Sequence, residues 1–189
     1  MKKTLWTLPL FFFASLAQAH VGHDHVSFMD GLVHPFGFDH VLAMVAVGLW
    51  SARIFTGKSR FFAPVVFVSS LVLGAALAHF TGGEFTLAEQ LIAASVVAFG
   101  ALLVFPQISK WLGFTLIIGA GLVHGWAHGV EATVGGVFAL YVAGFVLTTA
   151  LLHIAGVLAG TRLLAARVWL WRAVGVAMGS YGALLLAGV

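Results

Sequence analysis

Six long apolar runs decide what this chain can become. They extend from Pro35 to Ile54, Phe61 to Phe80, Leu87 to Phe105, Trp111 to Val130, Thr133 to Ala159 and Trp169 to Ala187. Each is near the ~20 residues that a helix needs to cross a hydrocarbon core. Hydrophobic residues make up 61% of the chain and charged residues 8%, against about 25% charge in soluble domains. The expected fold is an all-α membrane protein, a single bundle of six transmembrane helices.

The charges report topology. Seven of the nine Lys and Arg residues, namely Arg53, Lys58, Arg60, Lys110, Arg162, Arg167 and Arg172, flank the first, third and fifth connections, and the second and fourth hold none. Such asymmetry places the basic connections in the cytoplasm and both mature termini outside. The net charge of +3 therefore implies no nucleic-acid partner. Trp50, Trp111, Trp169 and Trp171 fall at the inner ends, where an aromatic belt is expected. The chain has no cysteine, which excludes disulfides, thiolate zinc sites and iron–sulfur clusters.

Ahead of the first run, Lys2 and Lys3, an apolar core from Leu5 to Leu16 and the small-residue site Ala17, Gln18, Ala19 have the three parts of a secretory signal. Cleavage after Ala19 divides the chain into a signal peptide (1–19), a histidine-rich periplasmic arm (20–33) and the membrane domain (34–189). The new terminus would begin His20, Val21, Gly22, His23, Asp24, His25. His20 and His23 are candidate metal collectors, and a solvated terminus is the alternative reading.

Two polar blocks interrupt the apolar pattern. The first, HPFGFDH, carries His34, Asp39 and His40; the second, HGWAHGVE, carries His124, His128 and Glu131. A charged side chain at the centre of a span costs roughly 2.5–3.5 kcal/mol on insertion scales, so such groups need a functional partner. With Pro35 opening the first helix, Asp39 and His40 lie in the outer part of the membrane. His124 and His128 are one helical turn apart on a helix running outward, with Glu131 near its outer end. The two blocks meet at one level, and a shared divalent cation would compensate their burial. Imidazole and carboxylate donors without thiolate suit nickel, cobalt, zinc, iron or manganese.

Gly121, Gly125 and Gly129 form a small-residue face on the fourth helix, as Gly175 and Gly179 do on the sixth. The first of these faces would also bring His124 and His128 inside. Thr86 and Glu89 have the spacing of a capping box, which makes Glu89 a helix-start device. Met44 is expected to pack, His79 to lie at the outer interface, and His153 either to mark an exit path or to bond a neighbouring carbonyl.

These blocks, together with the histidine-rich start, resemble the HupE/UreJ membrane proteins of hydrogenase and urease systems, regarded as secondary permeases for nickel and in some members cobalt. The likeness covers essentially the whole chain. It implies that Asp39, His40, His124, His128 and Glu131 are essential for transport. Four residues, Pro35 to Phe38, separate His34 from the Asp-His pair where the family pattern has five, and Val123 stands where phenylalanine is common. In a continuous helix one residue turns a side chain by about 100°, so His34 is kept among the candidate metal residues and is expected as an entry ligand.

The function expected is a permease, not an enzyme, importing Ni2+ or Co2+ across the bacterial inner membrane for metalloenzyme maturation, with no resident cofactor. Its partners are the metal ion and the lipid bilayer, with a homo-oligomer left open. The sequence has no phosphate-binding loop. A dication entering a cell gains about 2 × 2.3 kcal/mol per 100 mV, enough for roughly a thousandfold accumulation without other fuel. An intramembrane metal-dependent hydrolase would use similar residues to activate water, and a bis-histidine haem protein is a further rival.

Overall fold

The structure is a computed structural model that describes residues 27–83, 85–132, 137–163 and 168–188. The signal segment, His20, His23, Asp24 and His25 lie outside these residues, as does the side chain of Glu131. The described residues form seven α-helices and no strand: α1 (Phe28–Val33), α2 (Phe38–Ile54), α3 (Phe62–Thr81), α4 (Ala88–Val104), α5 (Lys110–Glu131), α6 (Phe138–Leu163) and α7 (Val168–Ala187). Three helical segments are long and apolar enough to cross a membrane alone, Gly57–Thr81, Phe138–Arg162 and Trp169–Ala187. A fourth span arises if Phe28–Phe36 and Phe38–Ile54, bent by 78°, are one broken crossing. Helix α4 is apolar but shorter, and α5 carries two histidines and five glycines in its 22 residues.

Helix pairing follows the glycines. In lipid, association depends on close packing, so small residues let backbones touch. A Cβ built on Gly125 would fall on the Leu71 carbonyl oxygen, one on Gly129 on the Ala75 carbonyl, and one on Gly121 would lie 2.8 Å from the Phe67 oxygen, which joins α5 to α3 in parallel. Gly175 and Gly182 meet Gly100 and Ala93 on antiparallel α4. A third seam, not anticipated from the sequence, sets Gly48 of α2 against the His153 carbonyl and Gly156 of α6 against that of Val45.

The first crossing starts differently from the sequence expectation. Its helix does not begin at Pro35: His34–Phe36 form a 3-10 turn, Gly37 is extended with ψ 132°, and α2 starts at Phe38. Ahead of it α1, within the stretch expected as an arm, packs on α6 through Gly31 against the Tyr141 carbonyl. Its start is a capping box, with the Ser27 amide and hydroxyl donating to Asp30 Oδ2 at 2.8 and 2.6 Å and the Asp30 amide donating back to Ser27 Oγ at 3.2 Å.

Two further expectations are corrected. Helix α4 is capped by Leu87 without a side-chain hydrogen bond, so Thr86 and Glu89 form no capping box, although Glu89 does sit in the first turn. The aromatic belt also divides. Trp111 and Trp169 are exposed, whereas Trp50 and Trp171 are buried. Trp50 packs edge-on against Phe114 at 5.6 Å, and Trp171 lies under the Arg53 guanidinium at 5.2 Å. The reason is that both face neighbouring helices, α5 and the inner end of α2, and not the lipid.

Gly125→Val should destabilise the protein by about 1–3 kcal/mol, the usual range for overpacking a tight contact, lowering the thermal midpoint in detergent. Gly119→Ala, on the same helix with nothing within 4 Å of its Cβ position, should leave that midpoint unchanged or raise it.

Candidate metal site

Four imidazoles converge inside the bundle. Helix α5 supplies His124 and His128, both fully buried because the glycine following each one presses against α3. Helix α2 supplies His40, 4% exposed, and the turn before Gly37 supplies His34. One ring nitrogen from each of His34, His40 and His128 lies within 4.8 Å of the others. Ring centroids are 4.4 Å apart for His34 and His128, 5.2 Å for His40 and His128, and 4.8 Å for His40 and His124.

His34 thus sits in the cluster and not ahead of it. The angular argument from the shortened spacing assumed a continuous helix. The 3-10 turn and the extended Gly37 break that helix and redirect the ring toward α5.

Asp39 works from the other side of His40. Its Oδ1 accepts the His40 amide at 2.8 Å and lies 2.9 Å from Nδ1 of the same residue. With that carboxylate accepting the Nδ1 proton, Nε2 carries the ring lone pair, and Nε2 is buried without a hydrogen bond. Orientation of a ligating imidazole by a carboxylate fixes its tautomer and raises its basicity. Gly37 makes room for the pair: a Cβ there would lie 2.9 Å from Asp39 Oδ1 and 3.4 Å from His40 Nδ1.

Ser95 does the same for His124, and nothing in the sequence reading singled it out. Its hydroxyl donates to the Ile92 carbonyl at 2.7 Å and lies 3.2 Å from His124 Nε2. Having given its one proton to the carbonyl, the hydroxyl accepts from Nε2–H. The lone pair of His124 is then on Nδ1, which is also buried without a hydrogen bond. The signal was present as a hydroxyl in the apolar run of α4. Aromatic walls complete the site: Phe145 stacks on His128 at 4.8 Å and Tyr141 lies edge-on to His34 at 6.1 Å.

Met44, His79 and His153 are placed elsewhere. Met44 is fully buried in the core. His79 stacks on Phe138 at 3.9 Å in the last turn of α3. His153 bonds the Thr149 carbonyl, Nδ1 to oxygen 2.7 Å. Glu131 ends α5.

Ring nitrogens of His34, His40 and His128 within 4.8 Å of one another, with His40 held by a carboxylate and the adjoining His124 by a hydroxyl, fit a divalent cation that accepts imidazole. The fold and cluster together define a helical membrane protein with an internal polyhistidine site. The chain belongs to the HupE/UreJ family: the model of the HupE / UreJ protein family matches residues 8–185. It is 36% identical over 189 residues to Protein HupE of Rhizobium leguminosarum bv. viciae, covering 98% of each chain. No solved structure matches it.

Because Asp39 decides which nitrogen of His40 faces the cluster, Asp39→Asn should lower Co2+ affinity about 10–100-fold, measured from the visible absorption of the bound ion. Affinity within twofold of the parent would show that the carboxylate does not orient the ring.

Proposed function

We propose that this protein is a secondary permease that imports a divalent transition metal ion, nickel in the first place and cobalt as the near alternative, across the inner membrane. The observation that carries the reading is the buried convergence of His34, His40 and His128, with His124 adjoining. Membership of a family associated with nickel and cobalt accessory transport supports it. In this reading the apolar runs make six crossings after a cleaved signal peptide, and both mature termini are periplasmic. His20 and His23 gather the ion outside, and Glu131 contributes charge near the outer mouth of α5.

The residues act in sequence. Water is stripped as the ion passes into the apolar bundle, and the imidazoles replace that hydration. Asp39 adds negative charge beside His40 and offsets the dication without being its ligand. Ser95 keeps His124 in the tautomer that can accept the ion. Membrane potential supplies the free energy, about 2.3 kcal/mol per charge for every 100 mV.

Cells expressing the protein should accumulate radioactive nickel, and His40→Ala and His128→Ala should each reduce accumulation at least tenfold at equal membrane abundance. Accumulation unchanged in both variants would sink the assignment. Transport of cobalt with none of nickel would keep the site and change the cargo.

A further inference from the structure

His153 has a feature that packing does not require. It is fully buried, its Nδ1 donates to the Thr149 carbonyl at 2.7 Å, and Nε2 therefore presents a lone pair with no hydrogen-bond partner. One turn earlier on α6, the Thr149 hydroxyl is equally buried and equally without a hydrogen-bond partner. Two unused donor atoms thus sit one helical turn apart in the interior.

Their depth can be read from two helices. On α6, His153 lies about two turns, roughly 12 Å, beyond Phe145, which stacks on His128. On α2, Gly48 faces the His153 carbonyl and lies about two turns beyond His40. Both place His153 on the Arg162 side of the histidine cluster. Between them stands Phe67, fully buried, with its ring centroid 5.6 Å from His124 and 4.9 Å from His153.

We propose that His153 and Thr149 form a second, weaker station for the same cation, reached from the histidine cluster when the Phe67 ring between His124 and His153 turns aside. The inference rests on the reading that His34, His40 and His128 take a divalent cation. One imidazole and one hydroxyl are a sparse donor set, which suits a station that must release its ion. Conduction needs sites that bind well enough to admit an ion and loosely enough to let it leave.

The test uses the full chain with His20, His23 and His25 replaced by alanine, so that the arm adds no binding. Nickel binding is measured by equilibrium dialysis in nanodiscs, and nickel flux in proteoliposomes holding a metal-sensitive dye. The parent should bind two ions per chain, the second at least tenfold more weakly. His153→Asn retains an amide donor for the Thr149 carbonyl but lacks a ring nitrogen. It should bind one ion with the first affinity changed less than threefold, and carry at least tenfold less flux. Two ions and flux within twofold of the parent would overturn the proposal, as would one ion in the parent. Loss of both ions together with a lowered melting temperature would assign His153 a structural role and overturn it too. His40→Ala and His128→Ala test the cluster separately: if they leave the tighter site intact, that reading fails while the His153 comparison still stands on its own.

Discussion

Everything in the bundle depends on how closely α3 and α5 approach. Lipid tails offer no hydrophobic drive for helices to associate, so cohesion comes from backbone contact and packing. The row Gly121, Gly125, Gly129 lets α5 lie on the carbonyls of Phe67, Leu71 and Ala75. Each histidine precedes a glycine of this row, so the contact that holds the helices together is also the contact that turns His124 and His128 inward. Weak Cα–H···O interactions are the natural currency of such a seam.

The second half of the site depends on the opposite device, an interruption. A helix running unbroken through His34 would carry that ring away from the Asp39–His40 face. The 3-10 turn ending at Gly37 and the 78° bend bring it back to within 4.8 Å of the other nitrogens. Pro35 opens the turn, and Gly37 lets the chain pass beside the Asp39 carboxylate. Short α1, seated on α6 through Gly31 and Gly144, fixes the direction from which the chain enters.

Much of this was legible in the chain. Apolar runs identified α2 to α7, the glycine spacing identified one face in each of two tight pairs, and the paired polar blocks identified His40, His124 and His128 as neighbours across helices. What escaped were matters of local backbone and partner choice. The sequence marks Pro35 but not the extended Gly37, so the direction of the His34 ring does not follow from its spacing to Asp39 and His40. Thr86 and Glu89 satisfy a spacing rule that Leu87 overrides by taking the cap position. Ser95 is one hydroxyl in an apolar run, and only the position of α4 beside α5 reveals that it meets His124. Trp50 and Trp171 sit at the right depth for a belt; which way they face is decided by helix rotation, which spacing does not encode.

The two ends of α2 are held very differently. At the C-terminal end, the Arg53 guanidinium donates to the Leu103 carbonyl at 2.7 Å and covers Trp171, while the Ser51 hydroxyl donates to the Arg60 carbonyl at 2.6 Å and Arg60 Nε donates to the Phe55 carbonyl at 3.1 Å. At the N-terminal end the helix stops at an extended glycine, Gly37. There it is held by packing, with the Phe38 ring edge-on to Tyr181 at 4.9 Å and α1 seated on α6. Rigid-body geometry gives a small tilt about Arg53 a displacement at His40 several times that at Trp50, so the imidazole-bearing end of α2 is the end at which any movement is amplified.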